Sequence, residues 1–400
     1  MKKFLIFSII GLCVLFCSCG ALWKMAKQID FVLTEDRMSK KTEITYCYDK
    51  KMPFVFDEMI FIPSKIDDTT HLLLYDSGMS NEISELIPGN AQFPKVRRTM
   101  KQTVNGASGR ITAKTGLKYY NVESDFFNFK KIVGKAASVS SYVATYSRCT
   151  NIIKIDNKPM LGLFAFPNRR NVMLLNFSDT TIMLLDLFGQ DYDTTGFMRV
   201  KSNDLYSRIE IYLTVDSVEY EFLFDTGYNG FLSLPQSEKH KKENDVSIVG
   251  FTSIDISGIV IDTITIQHTN TLSMGYWDSM EGTIRYAKKS TPNMGMEFIS
   301  CFDWIIDRCR GKVYARKIKD TKCDTVSYQI QYAVLALDTT LQVIRLPLGE
   351  TEYQLFSIID SVNGEKVTME NICQMQGLLN KPNGFKDNEM VILPPPQLKK

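Results

Sequence analysis

The sequence predicts a mainly β protein with two related lobes and a smaller C-terminal appendage, and three observations lead there. Short β-branched and aromatic runs (residues 59–63, 72–75, 209–215, 220–224, 259–266 and 313–314) alternate with turns rich in Gly, Asn, Asp and Ser. Sustained helical periodicity is scarce. An apolar run ending in Asp, a hydroxyl residue and Gly occurs twice, as 71–75 before Asp76-Ser77-Gly78 and 220–224 before Asp225-Thr226-Gly227. Tandem copies of one unit predict two lobes.

In chain order, residues 1–19 carry Lys2 and Lys3 ahead of an apolar stretch over 4–16, the pattern of a signal peptide. Cys17-Ser18-Cys19-Gly20 then resembles the cleavage site of a bacterial lipoprotein, with Cys19 as the lipidated first residue and Phe16 where Leu is usual. An uncleaved anchor over 4–23 and simple secretion are the alternatives. All three put the body outside the cytoplasm. There Cys47, Cys149, Cys301, Cys309, Cys323 and Cys373 can form disulfides or remain buried thiols, and sequence alone does not assign pairs.

The first lobe is expected over 20–197 and the second over 198–322. Each Asp motif is followed downstream by a short element ending in glycine, Met160-Leu161-Gly162 and Asn293-Met294-Gly295. Beyond each glycine comes a further strand pair with a polar turn, 172–176 to 181–182 and 304–307 to 312–314. Phe298, Phe302 and Trp304 are expected in the second-lobe core. The third unit, 323–400, has strand-like runs at 332–337 and 342–346, then two strands joined by a tight Asn363-Gly364 turn. A helix is expected over 368–379 with Thr368 as its cap, and the tail from Pro394 to Lys400 as a frayed end.

Composition narrows the function classes. The chain has 400 residues, with 47 Lys+Arg against 45 Asp+Glu and a formal charge of +2. That balance gives no electrostatic footprint for nucleic acid, and the basic run 239–242 reads as a solvated loop. Hydrophobic residues at 44% and aromatics at 11% exclude a mainly disordered chain. His71, His240 and His268 are dispersed, and HExxH, CxxC and GxSxG are absent. These absences speak against a multi-histidine metal site, and no metal or organic cofactor is expected.

One Asp-Ser/Thr-Gly is an ordinary strand-end turn. Two of them have a chemical reason to meet. Carboxyl groups about 3 Å apart cannot both ionise, so they share a proton and titrate together. The ionised member can take a proton from water while the protonated member donates to a carbonyl oxygen. Aspartic proteases are the standard example of such a dyad. Ser77 and Thr226 can hydrogen-bond across the base of such a site, and Gly78 and Gly227 allow close approach and offer N–H groups.

The stretches YDSGMS (75–80) and FDTGYNGFLSLP (224–235) resemble the active-site loops of pepsin-like and retropepsin-like aspartic peptidases. Gly162 and Gly295 match the glycines that cross behind each loop in that family, with Asn293 in place of an apolar residue. The stretch NMGMEFISCFDWIIDRCRGKVY (293–314) resembles the family's final strands. Over roughly 50–320 the resemblance implies a β-barrel body and hydrolysis of extended polypeptides by water held between Asp76 and Asp225. It also implies a flap, expected at 104–109, where no tyrosine falls. Tyr119 or Tyr120 can serve only if that hairpin lies further on. Met79 and Tyr228 stand where Ala or Ser is usual.

Residues 359–367 resemble, more faintly, the central hairpin of a PDZ domain, with Phe356-Ser357 where Gly-Asp is usual. This implies a peptide ligand added as a strand. The alternative is a small appendage packed on the body. The expectation is an aspartic endopeptidase of the bacterial envelope, lipid-anchored and facing the periplasm. Its rivals are a catalytically inactive peptide-binding or scaffolding lipoprotein and a surface adhesin or glycan-binding lipoprotein.

Overall fold

The computed structural model describes residues 19–395 except 79–82, 89–91, 107–108, 140–148, 150–160, 165–170, 187–190, 206–207, 239–244, 256–257, 289, 319–331, 338 and 382. Residues 1–18 of the expected signal segment, the basic run 239–242 and most of the proline tail lie outside the described residues. The protein is mainly β, and the described residues form sheets of nine, six and thirteen strands.

The internal repeat is written into the strand order. Met59–Ile66 pairs with Thr69–Tyr75 through Asp67 and Asp68, which take φ of 45° and 70°. Arg208–Val215 pairs with Val218–Phe224 through Asp216 and Ser217, at φ of 47° and 73°. Two consecutive left-handed residues are what a two-residue hairpin needs to match strand twist. Leu161–Phe164 then lies parallel to Thr69–Tyr75 and antiparallel to Ile83–Pro88. Asn293–Met294 likewise lies parallel to Val218–Phe224 and antiparallel to Leu232–Pro235. Long hairpins complete each copy, Arg98–Gly106 with Gly109–Glu123 in the first and Val246–Asp255 with Gly258–Met274 in the second.

Among the described residues no sheet is closed into a barrel, which corrects the form implied by the resemblance. The strands that would seal each copy meet over only two residue pairs, Lys65–Glu123 with Ile66–Val122, and Thr214–Ser273 with Val215–Leu272.

The six-stranded sheet joins the copies, because Phe302–Asp307 pairs with both Val172–Asn176 and Lys312–Lys317. Every residue of Phe302–Asp307 is buried. Its two carboxylates are therefore matched: Asp303 accepts from Ser178 N–H and Oγ and from Arg316, and Asp307 accepts from Tyr192 and Arg310. Trp304 is fully buried and donates Nε1–H to the Ile299 carbonyl at 2.7 Å. Phe298 and Phe302 pack in the same core.

A 21-residue helix, Cys19–Ser39, precedes the sheets. It buries Phe31 and Met38 against Leu117 and Val133, and pairs Asp30 with Arg98 and Glu35 with Lys135. Sequence periodicity did not reveal it, because only this narrow stripe is covered. Among the described residues, no helix is long and apolar enough to cross a membrane.

The C-terminal strands continue the thirteen-stranded sheet, since Thr340–Pro347 pairs with Val246–Asp255 at Ile248–Pro347. They also enclose a core of their own around Val334, Leu341, Ile359, Ile372 and Leu379. Asn363 and Gly364 take φ of 52° and 78°, the tight turn expected there. The helix is Ile372–Leu379, shorter than expected. Asn371 Oδ1 accepts from Thr368 N–H, and Asn371 Nδ2 donates to Glu365 and the Lys366 carbonyl, so residues before 371 are held in a turn. From this helix Gln376 Oε1 accepts from Ala336 N–H, while Asn380 bonds both the N–H and the carbonyl of Val334.

Cys149 and Cys373 form a disulfide across 224 residues. It ties the Ile372–Leu379 helix to the first repeat and restricts the unfolded chain. Cys373→Ser is expected to cost about 2–4 kcal/mol. Urea unfolding of the variant, and of the native chain with and without reductant, measures this; coincident midpoints would refute it.

Candidate active site

Each Asp loop follows the second strand of its hairpin, and hydrogen bonds between the two loops are reciprocal. Ser77 N–H donates to Thr226 Oγ1 at 2.9 Å, and Thr226 N–H donates to Ser77 Oγ at 3.0 Å. Each hydroxyl then donates onward to a carbonyl of the other copy, Ser77 Oγ to Phe224 at 2.7 Å and Thr226 Oγ1 to Tyr75 at 2.8 Å. Thr226 is fully buried. This pattern needs a hydroxyl at both positions, because each must donate and accept at once.

The glycines sit under the opposite carboxyl group. Gly78 N–H donates to Asp76 Oδ1 at 2.9 Å, and Gly227 N–H to Asp225 Oδ1 at 3.0 Å. A methyl added to Gly78 would lie 2.6 Å from Asp225 Oδ1, and one added to Gly227 would lie 2.5 Å from Asp76 Cγ. Asp76 and Asp225 themselves share a side-chain hydrogen bond.

The supporting glycines thread behind. Gly162 pairs with Leu73 and with Glu85 in the ladder. Asp225 N–H donates to the Met294 carbonyl at 3.0 Å, and Gly295 N–H to the Phe231 carbonyl at 2.8 Å. Asn293 enters the site itself, its Nδ2 donating to Asp225 Oδ2 at 2.9 Å. Sequence reasoning marked Asn293 only as a departure from an apolar pattern. A polar amide where a buried strand should be apolar was the signal available.

Part of the Asp225 surface faces solvent, but protein surrounds the carboxyl group. Burial pushes its pKa above the usual carboxylate range, the largest effect, against the hydrogen bonds from Asn293, Gly227 and Asp76 and the charge of Arg208. Burial also raises the Tyr75 phenol, whose hydroxyl meets Met173 Sδ at 3.8 Å.

The hairpin Arg98–Gly106/Gly109–Glu123 turns at Gly106–Gly109, which brackets the expected flap turn; residues 107–108 lie outside the described residues. Tyr119 and Tyr120 are at its base. Tyr120 is buried and donates to Glu85 at 2.7 Å, and Tyr119 donates to the Met38 carbonyl of the N-terminal helix at 3.3 Å. The hairpin does not lie further on, so the condition under which either tyrosine could serve the flap is not met, and both hydroxyls are engaged at the hairpin base. Met79 lies outside the described residues. Cys19 is the first residue of the N-terminal helix. Among the described residues, no cluster of three or more His, Cys, Asp or Glu could hold a metal ion. The chain matches no protein-family model and no curated protein.

Proposed function

We propose that this chain is an aspartic endopeptidase of the bacterial cell envelope, with a two-lobed body, a PDZ-like C-terminal unit and a lipid anchor at Cys19. The observation that carries this reading is the crossed contact of Gly78 with Asp225 and Gly227 with Asp76, locked by Ser77 and Thr226. The pair holds one proton. Its ionised carboxylate takes a proton from water as that oxygen attacks the peptide carbonyl, and the protonated carboxyl gives its proton to the carbonyl oxygen. The resulting gem-diol collapses with the reverse transfers: the newly protonated carboxyl gives its proton to the leaving nitrogen, and the other recovers one from a diol hydroxyl. The charge state of the pair is restored, and both fragments leave with balanced atoms. Substrates are extended polypeptides laid across the cleft.

A second reading, an inactive peptide-binding or scaffolding lipoprotein, is favoured by one observation, the displacement of Tyr119 and Tyr120 to the hairpin base. Cleavage of an unfolded protein by the full chain between about pH 3 and 8, a range that spans the titration of such a pair, separates the two. Asp76→Asn and Asp225→Asn are each expected to lower turnover about 10²–10⁴-fold. Undiminished cleavage by either variant, or none by the native chain, would overturn the peptidase reading. Stability supplies a check independent of turnover. Because the folded chain holds the Asp225 proton more tightly than the unfolded chain, stability declines as pH rises through the raised Asp225 pKa. Asp225→Asn removes that decline.

A further inference from the structure

We infer that the outer side of the Cys19–Ser39 helix is a docking surface for the lipid bilayer, so that the helix lies between the membrane and the first repeat. The inference rests on the membrane attachment in the proposed function and not on the peptidase chemistry. At about 3.6 residues per turn, Phe31 and Met38 fall on one side of the helix, and Met25, Ile29, Val32 and Leu33 on the other. The first side is spent on the body, where Phe31 and Met38 pack against Leu117 and Val133. The second side is left to solvent. Val32 is 60% exposed and Leu33 42%, Ala26 is exposed, and Met25 and Ile29 are half-buried. Asp36, the next residue on that side, pairs with Lys40 at 3.1 Å and ends the stripe.

Position, charge and edge chemistry together point to lipid as what covers this stripe. Met25 lies about 9 Å along the helix from Cys19, so a lipid on Cys19 brings the stripe to the bilayer. The uncleaved alternative, in which the apolar residues 4–16 stay attached, brings it there too. Residues 19–29 hold Lys24 and Lys27 and no acid that lipid phosphates would repel. Acids begin at Asp30, and Asp30 and Glu35 are held against the body by Arg98 and Lys135. Trp23 is 64% exposed, with the Lys27 ammonium 4.8 Å from its ring centroid. An amphipathic ring beside a cation suits the level of the headgroups. Among the described residues no helix is long and apolar enough to cross a bilayer, whereas a narrow apolar stripe suits a helix lying in its surface. The helix runs unbroken from Cys19 to its contacts with the first repeat, so the body is carried close to the membrane.

The test uses the full chain in vesicles of phosphatidylethanolamine and phosphatidylglycerol, with acyl chains brominated near the headgroup as the quencher. Trp23→Phe removes the exposed indole beside the anchor, and Leu33→Trp places one on the stripe. With the stripe about 5–10 Å into the headgroup boundary, the added indole should lose about half of its emission or more. Adding Val32→Asp keeps the anchor and should abolish that loss. Urea midpoints near the native one check that these exposed substitutions leave the fold intact, and mass spectrometry reports whether Cys19 carries lipid. An added indole that is not quenched overturns the inference, and a lipid found on Cys19 in that chain leaves the anchor standing. Elution of such a chain as a dimer would identify a second copy as the cover. Quenching that Val32→Asp leaves unchanged also overturns the inference, because the tether alone would then explain the contact. Quenching that depends on the stripe, in a chain with no lipid on Cys19, would sustain the inference and remove the lipoprotein reading instead.

Discussion

Gly227→Ala is expected to reduce turnover about 100-fold or more, because the new methyl would stand 2.5 Å from Asp76 Cγ. Carbon atoms do not approach that closely, so either the carboxyl group rotates away or the two loops separate. Rotation breaks the shared proton, and separation strains the Ser77–Thr226 bonds below it. A misplacement of about 1 Å is enough for a loss of this size. Gly377→Ala is the matched control, since a methyl there meets nothing within 4 Å and lies in a helix, where Ala is favoured by up to about 1 kcal/mol. Steady-state cleavage by the two variants checks the expectation. Equal, near-native turnover in both would show that the carboxyl groups need not be so close.

Thr226→Val should be the most damaging small substitution for stability. Valine has nearly the same shape, but it leaves Ser77 N–H without its acceptor and the Tyr75 carbonyl without its donor. Thr226 is fully buried, so water cannot replace either bond. Each orphaned group costs about 1–3 kcal/mol, and together they predict a loss of about 2–5 kcal/mol. Thr226→Ser, which keeps the hydroxyl, should recover most of it. Urea unfolding measures both, and a Val variant within about 0.5 kcal/mol of native would refute the account, being the size of an ordinary surface change.

What could be read from the sequence was local and periodic. The alternation of Ile209, Ile211, Leu213 and Val215 with half-buried or exposed neighbours is the period-2 pattern of a strand with one face in the core. The two Asp motifs were visible because hydroxyl and glycine are both required at fixed offsets from the carboxylate. The Asn363-Gly364 turn was visible for the same reason. Long-range choices were not. Asn293 reaches Asp225 only once Asn293–Met294 is laid beside Val218–Phe224, a pairing that no local rule sets. Tyr120 looked available to a flap until Glu85, distant in sequence, claimed its hydroxyl. The Cys149–Cys373 bond likewise joins residues that only the folded chain brings together.

Among the described residues no strand lies on the second edge of Ala333–Leu337, and the side-chain amides of Gln376 and Asn380 bond its backbone there instead. A guest strand arriving at that edge meets backbone groups already engaged, and must evict both amides before its first ladder bond forms. Its observed affinity would be the intrinsic one scaled by the fraction of molecules with the helix swung aside. The same occupancy shields the edge from pairing with another copy of the chain, a hazard that exposed strands otherwise carry. The helix thus acts as a toll on entry as well as a wall of the core.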